Sequence, residues 1–335
     1  MKAFILDRYG TTKKGLRAGD VPEPDMGDQD VLVQVHAAGV NALDNKISNG
    51  DFKLILPFHL PLIPGNDVAG VVVRVGSRVQ RFKVSDEVYA RPNQNRIGAF
   101  AELIAMHEDD VALKPKALTM EEAASIPLVG LTAWQALVER AGLKRGQKVL
   151  IHAGSGGVGT FAIQLAKHLG ATVATTASSA NFDLVKRLGA DIVVDYKTDD
   201  FAKVLKDYDV VLDTQGGAVL ETSLQIAKPG GIVVGIAGPP DPAFATSIGA
   251  NFVVKLVVRL LSGGIRGKAK QRSVRYSFLF MRANGDQLRE ITELINSGKI
   301  RPVVDRVFPF EATNEALAYV EKGRARGKVV ISVKL

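Results

Sequence analysis

A glycine-rich segment carries the most specific chemical signal in the sequence. Gly154-Ser155-Gly156-Gly157-Val158-Gly159 fits the pattern G-x-G-x-x-G between an apolar run and a run with helical periodicity. In that setting Gly154 permits a tight turn, Gly156 lets the backbone approach a pyrophosphate, and Gly159 lets a helix pack closely on a strand. Amides at the start of the helix then face the anion. The segment predicts a dinucleotide site, and the alternative is a turn that is merely tight.

The end of the next predicted strand indicates which dinucleotide binds. An NAD site usually places Asp or Glu there, to bond the ribose 2′-hydroxyl, whereas this strand ends with Ser178, Ser179 and Asn181. Hydroxyl and amide groups can donate hydrogen bonds to a 2′-phosphate, whereas a carboxylate would repel it. We therefore predict NADPH. Tyr196, with Lys197 beside it, ends the following strand within reach of the same phosphate, unless it only packs there.

The elements around this loop alternate between strand and helix patterns, and Tyr276–Met281 is a further apolar run after them. That alternation predicts an α/β domain with a doubly wound parallel sheet of the Rossmann type, covered by helices on both faces. The predicted strands are Lys148–His152, Thr172–Thr176, Ile192–Tyr196, Val210–Asp213 and Gly231–Ile236, and the predicted helices are Thr160–Leu169, Asn181–Leu188, Asp199–Lys206 and Ala218–Ala227.

The earlier part of the chain has a different pattern. Short β-branched runs such as Val31–Val35, Val68–Val75 and Glu87–Ala90 are separated by turn residues, which predicts a mainly β domain. Thr119 and Glu122 have the spacing of a capping box, so a helix begins there and runs towards Pro127. At 335 residues the chain suits two domains. We predict residues 1–124 with 284–335 as one domain and 125–283 as the other.

The composition excludes several kinds of site. The chain has no cysteine, so disulfides, thiolate nucleophiles and cysteine-ligated zinc are excluded. Its five histidines lack metal-ligand spacing, and we predict no metal and a cytoplasmic location. The N-terminus is predicted to be a strand. The apolar stretch Phe252–Leu261 contains two basic residues and is shorter than the roughly 20 residues that span a bilayer, so we expect no membrane partner.

Positive charge is concentrated in one segment. Residues 255–282 contain eight basic side chains and no acidic one, which equals the whole chain's formal excess of eight. Few aromatic residues lie among them and no nucleic-acid motif is present, so we predict a solvated loop and no nucleic-acid partner. A contact with a phosphate group or a partner is the alternative.

Four further segments accompany the glycine loop. Together they resemble the zinc-independent quinone oxidoreductases of the medium-chain dehydrogenase/reductase superfamily, over nearly the whole chain. The segments are Ala37-Ala-Gly-Val-Asn41-Ala-Leu-Asp44, Pro64-Gly-Asn66-Asp67-Val-Ala-Gly70, Gly130-Leu-Thr132-Ala-Trp134 and Gly323-Arg-Ala-Arg-Gly327-Lys328-Val-Val.

The resemblance implies a GroES-like, mainly β domain beside the Rossmann domain, with the nicotinamide in the cleft between them. It places Asn41 and Thr132 near the nicotinamide, Gly238 beside the ring, and Phe278 and Phe280 at its border. For Asn41 the alternative is a side chain that forms hydrogen bonds within a turn, and for Thr132 it is a hydroxyl at the start of a helix. Phe278 and Phe280 could instead belong to the apolar core.

Two groups of positions depart from related sequences. Zinc-using relatives have Gly-His-Glu where this chain has Gly65-Asn66-Asp67, and a cysteine near Asn41. Some members place a tyrosine where Lys46 stands and a lysine where Asn181 stands. Lys46 is therefore a weak candidate proton donor, with a solvated lysine as the alternative.

These features indicate which acceptor could be reduced. Without a Lewis acid, several kcal/mol of stabilisation for an alkoxide are lost, so the substrate must carry its own electron sink, as a quinone or an α,β-unsaturated carbonyl does. We predict NADPH-dependent hydride transfer to such a molecule by a homodimer. A zinc-free alcohol dehydrogenase and a non-catalytic NADPH-binding sensor or crystallin-like protein remain as alternatives.

Overall fold

A computed structural model describes residues 1–10, 15–53 and 58–334. They form two compact units, one of Met1–Leu131 with Arg282–Leu335 and the other of Thr132–Met281. The sequence patterns had suggested boundaries at 124/125 and 283/284. Within the described ranges, no helix is both long and apolar enough to cross a membrane.

The first unit begins with the predicted β-rich stretch. Thr119 caps helix α2, because its Oγ1 accepts the Glu122 amide at 3.2 Å while Glu122 Oε2 accepts the Thr119 amide at 3.0 Å. The helix ends at Ala124, before Pro127, since a proline disfavours helical geometry in the residue before it. The elements are β1 Lys2–Ile5, β2 Arg17–Asp20, β3 Asp30–Val40, α1 Ala42–Asn49, β4 Asp67–Val75, β5 Glu87–Ala90, β6 Leu103–His107, β7 Val111–Leu113, α2 Met120–Ala124 and α3 Pro127–Trp134.

The second unit has the predicted alternation of strands and helices. A π-helical segment at Gln135–Arg140 precedes it. Its elements are β8 Lys148–Ile151, α4 Gly157–His168, β9 Thr172–Ala177, α5 Phe182–Arg187, β10 Ile192–Asp195, α6 Phe201–Val204, β11 Tyr208–Asp213, α7 Gly217–Ile226, β12 Ala227–Gly235, α8 Pro242–Ser247, α9 Phe252–Leu261, α10 Gly263–Gln271 and β13 Arg275–Phe278.

The basic segment is where the sequence prediction of a solvated loop was wrong. It folds into α9 and α10. Asn251 starts α9, because its Oδ1 accepts the Val254 amide at 3.0 Å. The apolar residues between the charges then follow helical spacing, and this pattern outweighs the charge density.

The chain returns to the first unit with α11 Gly285–Asn296, β14 Val304–Pro309, α12 Thr313–Glu321 and β15 Lys328–Ser332. Strand β15 pairs antiparallel with β3 and so joins the end of the chain to the β-rich start.

Each unit is built on one large sheet. The seven-stranded sheet of the first unit runs β14-β15-β3-β4-β5-β7, with β6 also paired to β3. The six-stranded sheet of the second unit is parallel and runs β10-β9-β8-β11-β12-β13. Its strand order reverses between β8 and β11, which is where open α/β sheets bind ligands, at the carboxyl ends of the strands.

Separate apolar cores support the two sheets. Phe4, Val33 and Phe100 are buried in the first unit, where Phe4 contacts Phe310 edge-to-face with 5.1 Å between the ring centroids. Leu150 and Val211 are buried on neighbouring strands of the second unit. Each core therefore fixes the strand ends from which the candidate site residues project.

Candidate functional site

The glycine loop leaves the end of β8 and starts α4. A Cβ on Gly154 would collide with Thr175 Oγ1, and one on Gly159 would collide with the Ala153 carbonyl. At Gly156 the sole described heavy atom within 4 Å of such a Cβ is the Ala153 carbonyl oxygen, at 3.4 Å. Gly154 and Gly159 thus allow the chain to pack against itself, while Gly156 leaves its backbone open to a ligand.

Backbone and hydroxyl bonds hold this loop against the next strand. The Gly154 amide donates to the Thr176 carbonyl at 3.0 Å, and the Ala153 amide donates to Thr176 Oγ1 at 3.1 Å. The buried His152 ring lies 3.2 Å from Thr176 Oγ1 and 3.0 Å from Ser223 Oγ. Burial lowers the pKa of His152 to about 4, so the ring is a neutral structural link at physiological pH.

A second group of polar side chains lies where β9 ends. Asn181 Nδ2 donates to Ser155 Oγ at 3.1 Å and to Ser178 Oγ at 3.3 Å, which joins the glycine loop to the end of the strand. Its Oδ1 is buried and has no hydrogen-bond partner among the described residues. An unsatisfied buried acceptor is costly, and a ribose hydroxyl of a dinucleotide could satisfy it. The donor set and the open backbone at Gly156 therefore fit a dinucleotide.

Sequence reasoning missed one acid at this edge of the sheet. Asp195 ends β10 and accepts the amides of Ser179 at 2.9 Å and Lys197 at 3.0 Å. These hydrogen bonds lower the pKa of Asp195, so it is charged at neutral pH. Tyr196 beside it is 62% exposed, so it does not pack in the core. Asp195 lay within the predicted strand Ile192–Tyr196, and only its hydrogen bond to Ser179 shows that it faces the end of β9.

The residues assigned to the nicotinamide region of the second unit include an aromatic group. Phe244 contacts Phe278, with ring centroids 5.1 Å apart, and Phe280, at 5.8 Å. Asp241 accepts the amides of Phe244 at 2.8 Å and Phe278 at 2.9 Å, which fixes the two segments together. Gly238 follows β12 at the same edge of the sheet.

Gly238 and Thr132 are both confined by their surroundings. A Cβ on Gly238 would lie 2.5 Å from Tyr276 Oη and 2.7 Å from Leu220 Cδ2, so a larger residue would fit only if these side chains moved. Thr132 is 4% exposed within α3. Their assignment to the nicotinamide region stays a prediction.

The first unit contains a buried ion pair at Asn41. Lys328 Nζ donates to Asn41 Oδ1 at 2.5 Å and to Asp67 Oδ2 at 2.7 Å, and Asn41 Nδ2 donates to the same carboxylate oxygen at 2.9 Å. The Lys328 and Asp67 side chains are 5% and 0% exposed. Asp67 Oδ1 accepts the Leu128 amide at 2.6 Å, just after α3 begins. Both ends of the Asn41 amide are therefore held by protein atoms.

The same network extends through Asp44. Its carboxylate accepts a hydrogen bond from the backbone N–H of Asn41 at 2.7 Å and another from Asn66 Nδ2 at 2.7 Å. Arg91 Nη2 donates to Asn66 Oδ1 at 3.3 Å. Burial raises the pKa of Asp44 to about 6 and lowers the pKa of Arg91 to about 10. Two acids and two bases thus share one buried site.

The network joins the two segments in which the resemblance implies a departure from zinc-using relatives. Asn41, Asn66 and Asp67 are joined, and the ammonium of Lys328 bonds to two of them. Among the described residues, no three or more His, Asp or Glu side chains are grouped to bind a metal ion. Sequence reasoning quoted Lys328 as a landmark but gave it no role. Its position directly before the apolar run Val329–Ile331 is the feature of the sequence that indicates a buried lysine.

Lys46 lies apart from this network, on the exposed side of α1. Asn45 and Ile47 beside it are buried, whereas Lys46 makes no ion pair with any described residue. Its proposed role as a proton donor stays a prediction.

Two protein-family models match the sequence of this chain. Residues 27–116 match the family model described as an alcohol dehydrogenase GroES-like domain, and residues 188–331 match that of a zinc-binding dehydrogenase.

Individual proteins are similar over almost the full length. The 2-methylene-furan-3-one reductase of Solanum lycopersicum is 38% identical over 99% of this chain and 79% of its own length. The NADPH-dependent alkenal/one oxidoreductase, chloroplastic, of Arabidopsis thaliana is 37% identical over the same shares. The structure of the quinone oxidoreductase from Coxiella burnetii superposes with a TM-score of 0.86 at 33% identity, covering 100% of this chain and 99% of that one.

The GroES-like sheet, the parallel nucleotide-binding sheet and these matches define an oxidoreductase of the medium-chain dehydrogenase/reductase class. Within that superfamily the chain belongs to the zinc-independent, quinone oxidoreductase-like branch. The α/β fold class and the family predicted from the sequence are therefore confirmed.

Proposed function

We propose that the protein uses NADPH to transfer hydride to a quinone or to the β-carbon of an α,β-unsaturated carbonyl compound. The observation that carries the proposal is the glycine loop. Its backbone at Gly156 is accessible to a ligand, and the nearby Asn181 Oδ1 is buried without a hydrogen-bond partner among the described residues. The names of the tomato and Arabidopsis relatives, an enone reductase and an alkenal/one oxidoreductase, support the substrate class.

The side chains of this protein bind and orient the reactants. A bound reduced nicotinamide supplies the hydride. The α4 amides, with Ser155 and Asn181, would hold the pyrophosphate and the adenosine ribose of the dinucleotide, because helix N-termini favour that anion. Ser178, Ser179 and Tyr196 would hold the 2′-phosphate. The Phe244, Phe278 and Phe280 rings would provide an apolar border for the nicotinamide.

The buried network of the first unit favours an acceptor that delocalises its own charge. Lys328 neutralises Asp67, and the oxygens of Asn41 and Asp67 are engaged in hydrogen bonds. No Lewis acid is needed when the hydride adds to a β-carbon or a quinone, because the resulting enolate or phenolate spreads its charge. A saturated ketone would form a localised alkoxide instead, at a cost of several kcal/mol.

The position of a transferred label tests this reaction. With deuterated NADPH and methyl vinyl ketone, we expect deuterium at the β-carbon of the product butan-2-one, and NADPH consumption with a simple quinone. Butan-2-one has the same carbon skeleton without the double bond, so it serves as the matched substrate and should react at least about a hundredfold more slowly. Mass spectrometry and NMR locate the label.

The metal dependence supplies the control. A strong zinc chelator is expected to leave the rate unchanged. Deuterium at the carbinol carbon, or chelator-sensitive reduction of butan-2-one, would refute the mechanism while leaving the fold and family unaffected.

We further propose that the protein is a homodimer. Strand β13 is an edge of the parallel sheet and pairs on its inner side with β12, and an open edge strand is a template for pairing. Two copies related by a two-fold axis could continue the sheet through β13. Analytical ultracentrifugation is expected to give a dimer at micromolar concentration. A monomeric wild-type protein would contradict the proposal.

The cytoplasmic location also stays a prediction.

A further inference from the structure

Helix α9 exposes an unusually apolar surface. Six of its ten residues are large apolar side chains with relative exposures of 46–78%: Phe252, Val253, Leu256, Val257, Leu260 and Leu261. Across all the described residues, thirteen large apolar side chains are at least 39% exposed, and six of these thirteen lie on this one helix. Apolar surface of this extent marks an interaction site.

The six residues form one continuous face. Their spacing alternates between one and three residues, which keeps them together on a helix with 3.6 residues per turn. Val258 lies on the opposite side and is 4% exposed, so it anchors the helix to the protein. Lys255 and Arg259 are four residues apart and form a basic row beside the apolar face.

The surroundings of α9 in the sequence are positively charged. No acidic residue occurs from 242 to 285, a segment that contains eight basic residues. Lys268 pairs with Glu221 at 2.8 Å. In the part of the chain that the structure describes, Lys255, Arg259, Arg266, Lys270, Arg272 and Arg275 make no ion pair. Their charge is therefore available to a partner outside the protein.

We propose that α9 docks the protein on the surface of an anionic lipid bilayer, with its apolar face among the acyl chains and its basic row at the headgroups. An amphipathic helix with bulky apolar residues on one side and Lys or Arg on the other is typical of interfacial binding. Anionic lipids attract basic residues close to their surface. The pairing of an apolar face with uncompensated positive charge fits both properties of that surface.

Other occupants fit the same face less well. Two copies that paired through α9 about a two-fold axis would bring Lys255 and Arg259 towards their own equivalents, and like charges repel. A nucleic acid would engage the basic row and leave the six apolar side chains in water. The length of the apolar runs argues against a helix that spans a bilayer, but a helix that lies on the membrane surface does not need that length.

Vesicle co-sedimentation of the purified full chain tests the proposal. We expect at least tenfold stronger binding to vesicles of equal parts phosphatidylcholine and phosphatidylglycerol than to pure phosphatidylcholine. This preference should fall when NaCl is raised from about 0.15 M to about 1 M, where the Debye length shortens from about 8 Å to about 3 Å.

Matched variants locate the contact. Phe252→Ser with Leu260→Ser removes side chains that are 78% and 71% exposed, whereas Val84→Ser with Val204→Ser removes apolar side chains that are 52% and 58% exposed elsewhere. The first pair should weaken binding at least tenfold and the second should not. Likewise, Lys255→Gln with Arg259→Gln should weaken binding more than Lys322→Gln with Arg324→Gln, which are exposed on another surface.

Three results would overturn the proposal. The first is no binding by the wild type to either vesicle, and the second is equal binding by the two apolar pairs. The third is self-association that the Phe252→Ser and Leu260→Ser changes abolish without an effect of lipid, which would assign the face to a second copy. Enone reduction in solution should be unchanged in every variant, so this test is independent of the proposed reaction.

Discussion

Replacing Lys328 with Met is expected to lower the free energy of unfolding by about 3–5 kcal/mol. The substitution keeps the length of the side chain but removes the ammonium that bonds to Asn41 Oδ1 and Asp67 Oδ2. The carboxylate of Asp67 is 0% exposed and would be left in the interior without the counter-ion that Lys328 supplies. Urea unfolding followed by circular dichroism would measure the loss.

A double-mutant cycle separates the charge from the packing. Adding Asp67→Asn to Lys328→Met removes the carboxylate that has lost its counter-ion. Once the Asn41 side-chain amide turns over, the new amide nitrogen can donate to Asn41 Oδ1 while the new amide oxygen still accepts a hydrogen bond from the Leu128 backbone N–H. The double variant should therefore lose clearly less stability than the sum of the two single variants. Lys334→Met is the surface control, since the Lys334 ammonium makes one hydrogen bond, to Gln34 Oε1, among the described residues. This variant should change stability by less than about 0.5 kcal/mol. A Lys328→Met protein as stable as the wild type would refute the structural role of this pair.

The parts of the fold that were predictable are those set by local sequence. The glycine loop needs Gly154 and Gly159 because any Cβ would meet neighbouring atoms, and that requirement is visible as a motif. The Thr119 and Glu122 capping box involves residues three apart, and its two hydrogen bonds were found as expected. Helix α4 begins at Gly157 rather than Thr160, because loop geometry there outweighs the low helix propensity of glycine.

The parts that were missed depend on contacts between distant residues. Lys328 meets Asn41 across 287 positions of the sequence, so no spacing could indicate the pair. Asp195 meets the Ser179 amide because β9 and β10 are neighbours in the sheet. In the basic segment, apolar residues at helical spacing form α9 although the charges around them are typical of a solvated loop. In each case a side chain's role depends on its neighbours in space.

The end of β9 should control the choice of coenzyme, and Ser178→Asp is expected to abolish or reverse a preference for NADPH. Ser178 directly follows the strand, is partly exposed and bonds to Asn181. A carboxylate there would face the 2′-phosphate, and two like charges about 4 Å apart repel by about 1 kcal/mol in water and about 4 kcal/mol near a protein surface. The ratio of kcat/KM for NADPH to that for NADH should fall roughly ten- to a thousandfold.

Two further substitutions show whether charge is the cause. Ser178→Asn matches the size of aspartate without its charge, so it should retain most of the preference.

Asp195→Asn removes the carboxylate that accepts a hydrogen bond from the backbone N–H of Ser179. Because that negative charge lies beside the same strand end and opposes a bound phosphate, its loss should strengthen the preference for NADPH. The two aspartate changes should therefore act in opposite directions, and both effects should shrink at high salt, where exposed charges are screened. A wild-type protein that uses NADH as efficiently as NADPH, or a Ser178→Asn variant impaired as much as Ser178→Asp, would show that this strand end does not recognise the phosphate.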